Sequence, residues 1–244
     1  MKLDPVVPLP GSGRVFRSSR RIRLSDRDPR GRLRLDAVAR YLQDVASDDV
    51  DDTGWGAPEH LWVVRHLRVE VVSPPLTDDR VELGTWSSGS AMLAASRRMS
   101  LVGDGGGRVE LDSVWVHLGP DARPARIGDF GPYAESAAGR VVSTRLDLPE
   151  PRPDGARTPW PLRGTDEDVL GHVNNAAYWH AVEQVLQRNS VVDPVRPLRA
   201  RLDHRHPLDL EDEVELVESI RDGRLDLAFV VGGVAKAVAV VEAL

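Results

Sequence analysis

A chain of 244 residues with 41% hydrophobic and 29% charged side chains has the balance of a folded globular protein, with room for one large domain or two ordinary ones. Its net charge of -6 and pI near 5.7 argue against general nucleic-acid binding. The absence of cysteine removes disulfides, thiolate metal sites and cysteine nucleophiles together, so any catalysis must use oxygen or imidazole groups.

Residues 1–13 contain Pro5, Pro8, Pro10 and Asp4, which break any apolar core of a signal peptide. They are expected to form a mobile tail on a cytoplasmic protein. Residues 25–45 (SDRDPRGRLRLDAVARYLQDV) begin with turn chemistry and pass into a helix with Leu35, Val38, Leu42 and Val45 on one face. β-rich runs follow at 67–72, 80–86, 94–102 and 109–118. The glycine run at 103–107 lies between two of them and reads as a hairpin turn rather than a phosphate loop.

Residues 119–158 carry seven prolines if Pro159 just beyond is counted, the composition of a connector, with a short surface helix expected near 129–139. Residues 165–185 (TDEDVLGHVNNAAYWHAVEQV) then align without a gap on 25–45 at an offset of 140, pairing Asp26 with Asp166, Asp28 with Asp168 and Gly31 with Gly171. Here Tyr178, Val182, Val185 and Leu186 mark the buried face of a second helix at 175–186. Strand-like runs return at 213–219, 225–231 and 235–241, and residues 207–216 parallel 74–83. The last runs, including 227–235 before Lys236, are far too short to span a bilayer, so no membrane association is expected. The pattern is an internal duplication of one helix-plus-sheet unit, an α+β architecture with each antiparallel sheet wrapping one long helix.

The run His172-Val173-Asn174-Asn175, preceded by Asp168 and Gly171, resembles the helix entry of the acyl-acyl-carrier-protein thioesterase family. Residues 62–86 resemble the family's strands in the first unit, and the likeness extends loosely over 14–240 with the Gln43-Asp44 pair on the first helix. The resemblance implies a tandem double hot-dog: unit one at 14–125, a connector at 126–156 and unit two at 157–244. It implies hydrolysis of fatty-acyl thioesters without a cofactor or metal. An acyl-carrier protein or coenzyme A would present the substrate, and coenzyme A hydrolysis or acyl-thioester binding without cleavage are the alternatives.

By position, the resemblance makes Asp168 and His172 catalytic, and Asn174 and Glu183 join them as candidates beside the start of the second helix. Gly171, Asn175, Asp28, Gln43 and Asp44 are the candidates for substrate binding. Thioester hydrolysis needs a group that attacks or activates water and donors for the oxyanion; amides at a helix start are suited to the second task. Each has a plainer reading: Asn174 or Asn175 as helix caps, Asp168 as an Asx-turn residue, His172 as a structural histidine. Two positions depart from the family. Leu170 stands where plant members carry asparagine, and the family's glutamate and cysteine on the next strand have no counterpart near 206–208.

The first unit keeps Asp28 but lacks the histidine and both asparagines, so chemistry is assigned to the second unit and acyl holding to the first. Ten arginines against three aspartates give residues 14–40 a net charge of +7, read equally as a dock for an acidic carrier or coenzyme A phosphates and as a solvated face. His204 and His206 share a strand face without a third ligand nearby. A tandem repeat already supplies the pair of units that single hot-dog proteins obtain by dimerising, which leaves a homodimer open.

Overall fold

The computed structural model describes residues 6–55 and 61–244; the first five residues of the expected tail lie outside the described residues. The strands are β1 (Phe16–Arg21), β2 (Leu61–Ser73), β3 (Arg80–Ser90), β4 (Ala94–Gly103), β5 (Arg108–Leu118), β6 (Ala156–Pro159), β7 (Leu198–His204), β8 (Glu215–Arg221), β9 (Arg224–Val231) and β10 (Val234–Ala243). They form one sheet in the order β1-β3-β4-β5-β2-β7-β10-β9-β8-β6, with every named pair antiparallel. Read outward from the central β2–β7 pair, each strand of one side is its counterpart on the other with five added. The sheet is therefore palindromic.

Three helices accompany it among the described residues: α1 (Leu35–Thr53), α2 (Ala134–Ala137) and α3 (Ala177–Arg188). The stripe predicted for α1 is buried, and one apolar cluster joins it to α3 and to strands from both halves of the sheet. Helix α1 outruns its expected end at 45. Its C-terminal half holds Asp44 and, beyond 45, Asp48, Asp49, Asp51 and Asp52, acidic residues toward the helix end where the dipole disfavours them. Arginines offset this: Arg20 meets Asp44, Arg14 meets Asp49 and Asp52, and Arg97 on β4 meets Asp49. The helix stops at Gly54 in the left-handed conformation.

Strand β10 reads as a nearly unbroken apolar run because both its faces are covered. One row faces the helices, and Val238 and Val240 on the other pack with Leu148 of the connector. The connector also forms the short helical segment expected near 129–139, a turn of 3-10 helix (Gly131–Tyr133) leading into α2. The glycine run at 103–107 is the β4–β5 turn. Asp78 Oδ1 accepts the amides of Gly105 and Gly107 at 2.6 and 3.1 Å, and a side chain at Gly103 would collide with that carboxylate. A carboxylate of the chain itself thus fills the amide nest.

Candidate active site

The two helix-entry loops fold alike down to single hydrogen bonds. Asp26 and Asp166 each accept the amide three residues back, from Arg23 at 3.0 Å and Arg163 at 2.9 Å. The amides of Asp28 and Asp168 donate to the carbonyls of Arg32 and His172 at 2.8 and 2.9 Å. Gly31 and Gly171 close both turns at φ of +85° and +74°, a region glycine enters without strain. Each aspartate carboxylate then accepts the amide two residues on, Arg30 or Leu170, at 2.9 Å.

What fills the loops differs. Arg32 stands where the second loop has His172, and its buried guanidinium takes Asp28 Oδ2 at 3.1 Å and Glu183 on α3 at 2.9 and 2.5 Å. Glu183 also accepts the Leu35 amide at 2.6 Å, which secures the start of α1. The counterpart of Glu183 at the second loop is Gln43 on α1, a neutral residue. Beside it lies a cavity of about 900 Å³, lined by Gln43, Asp44, Ser47, Glu167, Asp168, Leu170, Asn174 and Asn175 and by the rings of Trp55, Trp62, Trp115, Phe130 and Tyr133.

Five predicted residues therefore meet at one cavity: Asp168, Asn174, Asn175, Gln43 and Asp44. Asp168 Oδ2 lies 3.5 Å from Asn174 Nδ2. Asn174 Oδ1 accepts the Ala176 amide at 2.8 Å, which fixes the orientation of its side-chain amide. Asn175 and Gln43 make no side-chain hydrogen bond to a described residue, so their amide groups are free for a ligand. His172 belongs to the same loop but not to the cavity lining; its Nδ1 is 2.7 Å from Asp209 Oδ1, with both side chains about half exposed. Gly171 does not line the cavity either, and its part is to make the turn.

Three expectations are corrected. Glu183 is not a catalytic residue facing the cavity: it is buried and spent on Arg32 and on the α1 amide. Asp28 does not bind substrate there, because its carboxylate is occupied by Arg32 and by two loop amides. The amides at the start of α3 are partly consumed as well, Ala176 by the Asn174 side chain and Ala177 by the Asn174 carbonyl at 2.9 Å. The Asn175 backbone amide makes no hydrogen bond to a described residue, so it stays available beside the side-chain amides.

Of the ten arginines in residues 14–40, seven are held in ion pairs (Arg14, Arg20, Arg27, Arg30, Arg32, Arg34 and Arg40), so most of the +7 is neutralised within the fold. His204 is buried against the ring of Tyr178 with centroids 4.7 Å apart, and burial pushes its imidazole down to about 3. Sequence reasoning missed Asp209, Glu167 and the tryptophans. Asp209 had a signal, since it is the carboxylate nearest the 206–208 stretch where the family's glutamate is absent.

Models of the acyl-ACP thioesterase N-terminal and C-terminal domains match residues 13–129 and 150–231. An uncharacterized protein of Mycobacterium tuberculosis, Rv2001, is 30% identical over 242 residues, 98% of this chain and 96% of its own. A chloroplastic acyl-[acyl-carrier-protein] hydrolase, FATB2 of Cuphea viscosissima, is 30% identical over 189 residues, 68% of this chain and 46% of its own. The solved 12:0-ACP thioesterase from Umbellularia californica superposes with a TM-score of 0.77 at 20% identity, covering 93% of this chain and 96% of that one. With both domain models matched in order across the palindromic sheet, the chain belongs to the acyl-ACP thioesterase family, whose members are thioester hydrolases of hot-dog fold.

Proposed function

We propose that this thioesterase releases free fatty acid from acyl-acyl-carrier protein, with Asp168 as the group that activates water. The unit at 157–244 supplies the chemistry and the unit at 14–125 houses the acyl group, the two being hot-dog units joined by the connector at 126–156. The palindromic strand order and the duplicated loops support this division. Such a release step belongs to cytoplasmic fatty acid biosynthesis. Among the described residues no helix is long and apolar enough to cross a membrane.

The observation that carries the reading is a carboxylate fixed at a ring-walled cavity beside three amide side chains. The thioester carbonyl accepts from Gln43 and Asn175, whose donors are unspent. Asp168 takes a proton from a water as its oxygen adds to the carbonyl carbon, and the developing oxyanion is held by those same amides. The tetrahedral intermediate collapses by breaking the carbon–sulfur bond, and the leaving thiolate receives the proton from Asp168. His172, tethered at Nδ1 by Asp209 outside the cavity lining, orients the carrier end of the thioester as it enters.

An assay of purified protein on acyl-carrier-protein and acyl-coenzyme A substrates, with Asp168→Asn alongside, tests this. The isosteric amide keeps the turn but neither accepts the proton nor attacks, so turnover falls by at least about a hundredfold while substrate still binds. Turnover retained in Asp168→Asn would move the chemistry elsewhere. Binding without hydrolysis by the wild type would make the protein an acyl-thioester binder.

A further inference from the structure

We infer that the acyl group accepted by this cavity carries an oxygen function, a hydroxyl or keto group on its chain, rather than being a plain alkyl chain; this rests on reading the cavity as the acyl site. The cavity wall is not uniformly apolar. Arg97, on β4, lines it with Ser87 and Ser96, and its side chain is only 13% exposed. Its Nη1 donates to Asp49 Oδ2 at 2.5 Å and to Thr85 Oγ1 at 3.3 Å. Its Nε and Nη2 donate to no carboxylate or carbonyl among the described residues, and the Tyr133 hydroxyl is the further hydrogen-bonding neighbour of the guanidinium, which leaves N–H donors unspent. The guanidinium lies 5.2 Å from the centroid of the Tyr133 ring, which packs against it as a cation–π partner.

Neutralising Asp49 does not account for this arginine. The buried Asp49 carboxylate already accepts Arg14 Nε at 2.6 Å through its other oxygen. One buried carboxylate therefore stands between two guanidinium groups, and the acid that answers Arg14, Asp52, is more than half exposed. Arg14 and Arg97 are matched by Asp49 and Asp52, so Arg97 offers the cavity unspent N–H donors rather than excess charge. An alkyl chain seated against it would bury N–H donors without acceptors, which is costly, whereas a hydroxyl or carbonyl oxygen would take them as charge-assisted hydrogen bonds. Ser87 and Ser96, whose hydroxyls bond across the β3–β4 pair, keep lone pairs that a chain hydroxyl can donate to. The aromatic lining meets the remaining carbons.

Three neutral thioesters of N-acetylcysteamine test this: dodecanoyl, 3-hydroxydodecanoyl and 12-hydroxydodecanoyl. Wild-type hydrolysis is measured on each, and their binding to Asp168→Asn is followed by tryptophan fluorescence, since three tryptophans line the cavity. At least one hydroxylated chain is expected to bind and react about tenfold better than dodecanoyl, the worth of one good hydrogen bond to a charged donor. Replacing Arg97 by Met together with Asp49→Asn, which keeps the local charge balanced, abolishes that preference while Arg97→Lys retains part of it. A dodecanoyl preference, or a hydroxyl preference unchanged in the double variant, overturns the inference and leaves thioester hydrolysis standing. Tighter binding of a hydroxylated chain with no hydrolysis of any of the three would uphold the inference and sink the catalytic assignment instead.

Discussion

Arg32 and Glu183, 151 residues apart, form a buried two-pronged ion pair where the mirrored positions are His172 and Gln43, of which Gln43 lines the open cavity. The duplication thus yields two similar entry loops and one usable site, because charge has filled the other. Removing Glu183 leaves the buried Arg32 guanidinium, which needs two acids, with Asp28 alone and its Nη groups without a carboxylate. Glu183→Ala is therefore expected to cost about 3–5 kcal/mol of stability, read from the denaturant midpoint, whereas replacing both by apolar residues of similar volume costs far less. Surviving folded Glu183→Ala should keep its kcat. A collapse of kcat without loss of stability would return Glu183 to the chemistry.

The pair between His172 and Asp209 makes a separate claim. If Asp209 orients the imidazole, Asp209→Asn leaves the hydrogen bond but no longer selects which ring nitrogen carries the proton. We expect kcat to fall by about tenfold or more with KM little changed, a smaller loss than for Asp168→Asn. The double variant with His172→Ala should be no worse than His172→Ala alone, since both act through one ring. Additive losses would show that Asp209 acts by another route.

Much of this was legible in the chain because the signals are local. The helix stripe at Leu35, Val38, Leu42 and Val45 and the strand runs need only neighbouring residues, and the offset of 140 between the loops exposes the duplication. The fate of Glu183 was not legible. It depends on Arg32, which folding brings from another part of the chain, and a glutamate on a helix reads the same whether it faces water, a cleft or a buried arginine. The tail of α1 was hidden for a similar reason, as its acidic end is offset by Arg14, Arg20 and Arg97. Gln43 and Asn175 could be nominated, but that their amides are unspent depends on which partners folding brings to the loop.

Arg17, Arg21 and Arg23 are exposed and, unlike their seven neighbours, make no ion pair among the described residues; two of them lie on the edge strand β1. Charge on an edge strand is itself a guard against strand pairing between molecules. If these three also dock an acidic carrier, changing all to Glu raises KM for the carrier-bound substrate severalfold and weakens its salt dependence, with hydrolysis of an N-acetylcysteamine thioester unaltered. Equal effects on both substrates would leave them only the guarding role.

Asp36 sets the acid limit of the fold. Burial alone would raise its carboxyl, but hydrogen bonds from His180, Arg34 and Arg40 outweigh that and hold it well below the usual carboxylate range. The two arginines approach at 2.7 and 2.6 Å and His180 of α3 at 3.4 Å, so the ionised group also ties α1 to α3. A folded-state pKa below the unfolded value of about 3.9 means the contribution is fully present above that pH and is lost as pH falls toward the folded value. Stability measured by urea unfolding should therefore be steady as far as this group goes from neutral pH to about 5, then drop steeply below about 4. Asp36→Asn should be less stable at pH 7 and show a shallower decline on acidification, because it has no proton to take up. An acid limb as steep in Asp36→Asn as in the wild type would assign the loss to other depressed carboxylates, of which Asp26, bonded to Tyr41 and Arg40, is the next to replace.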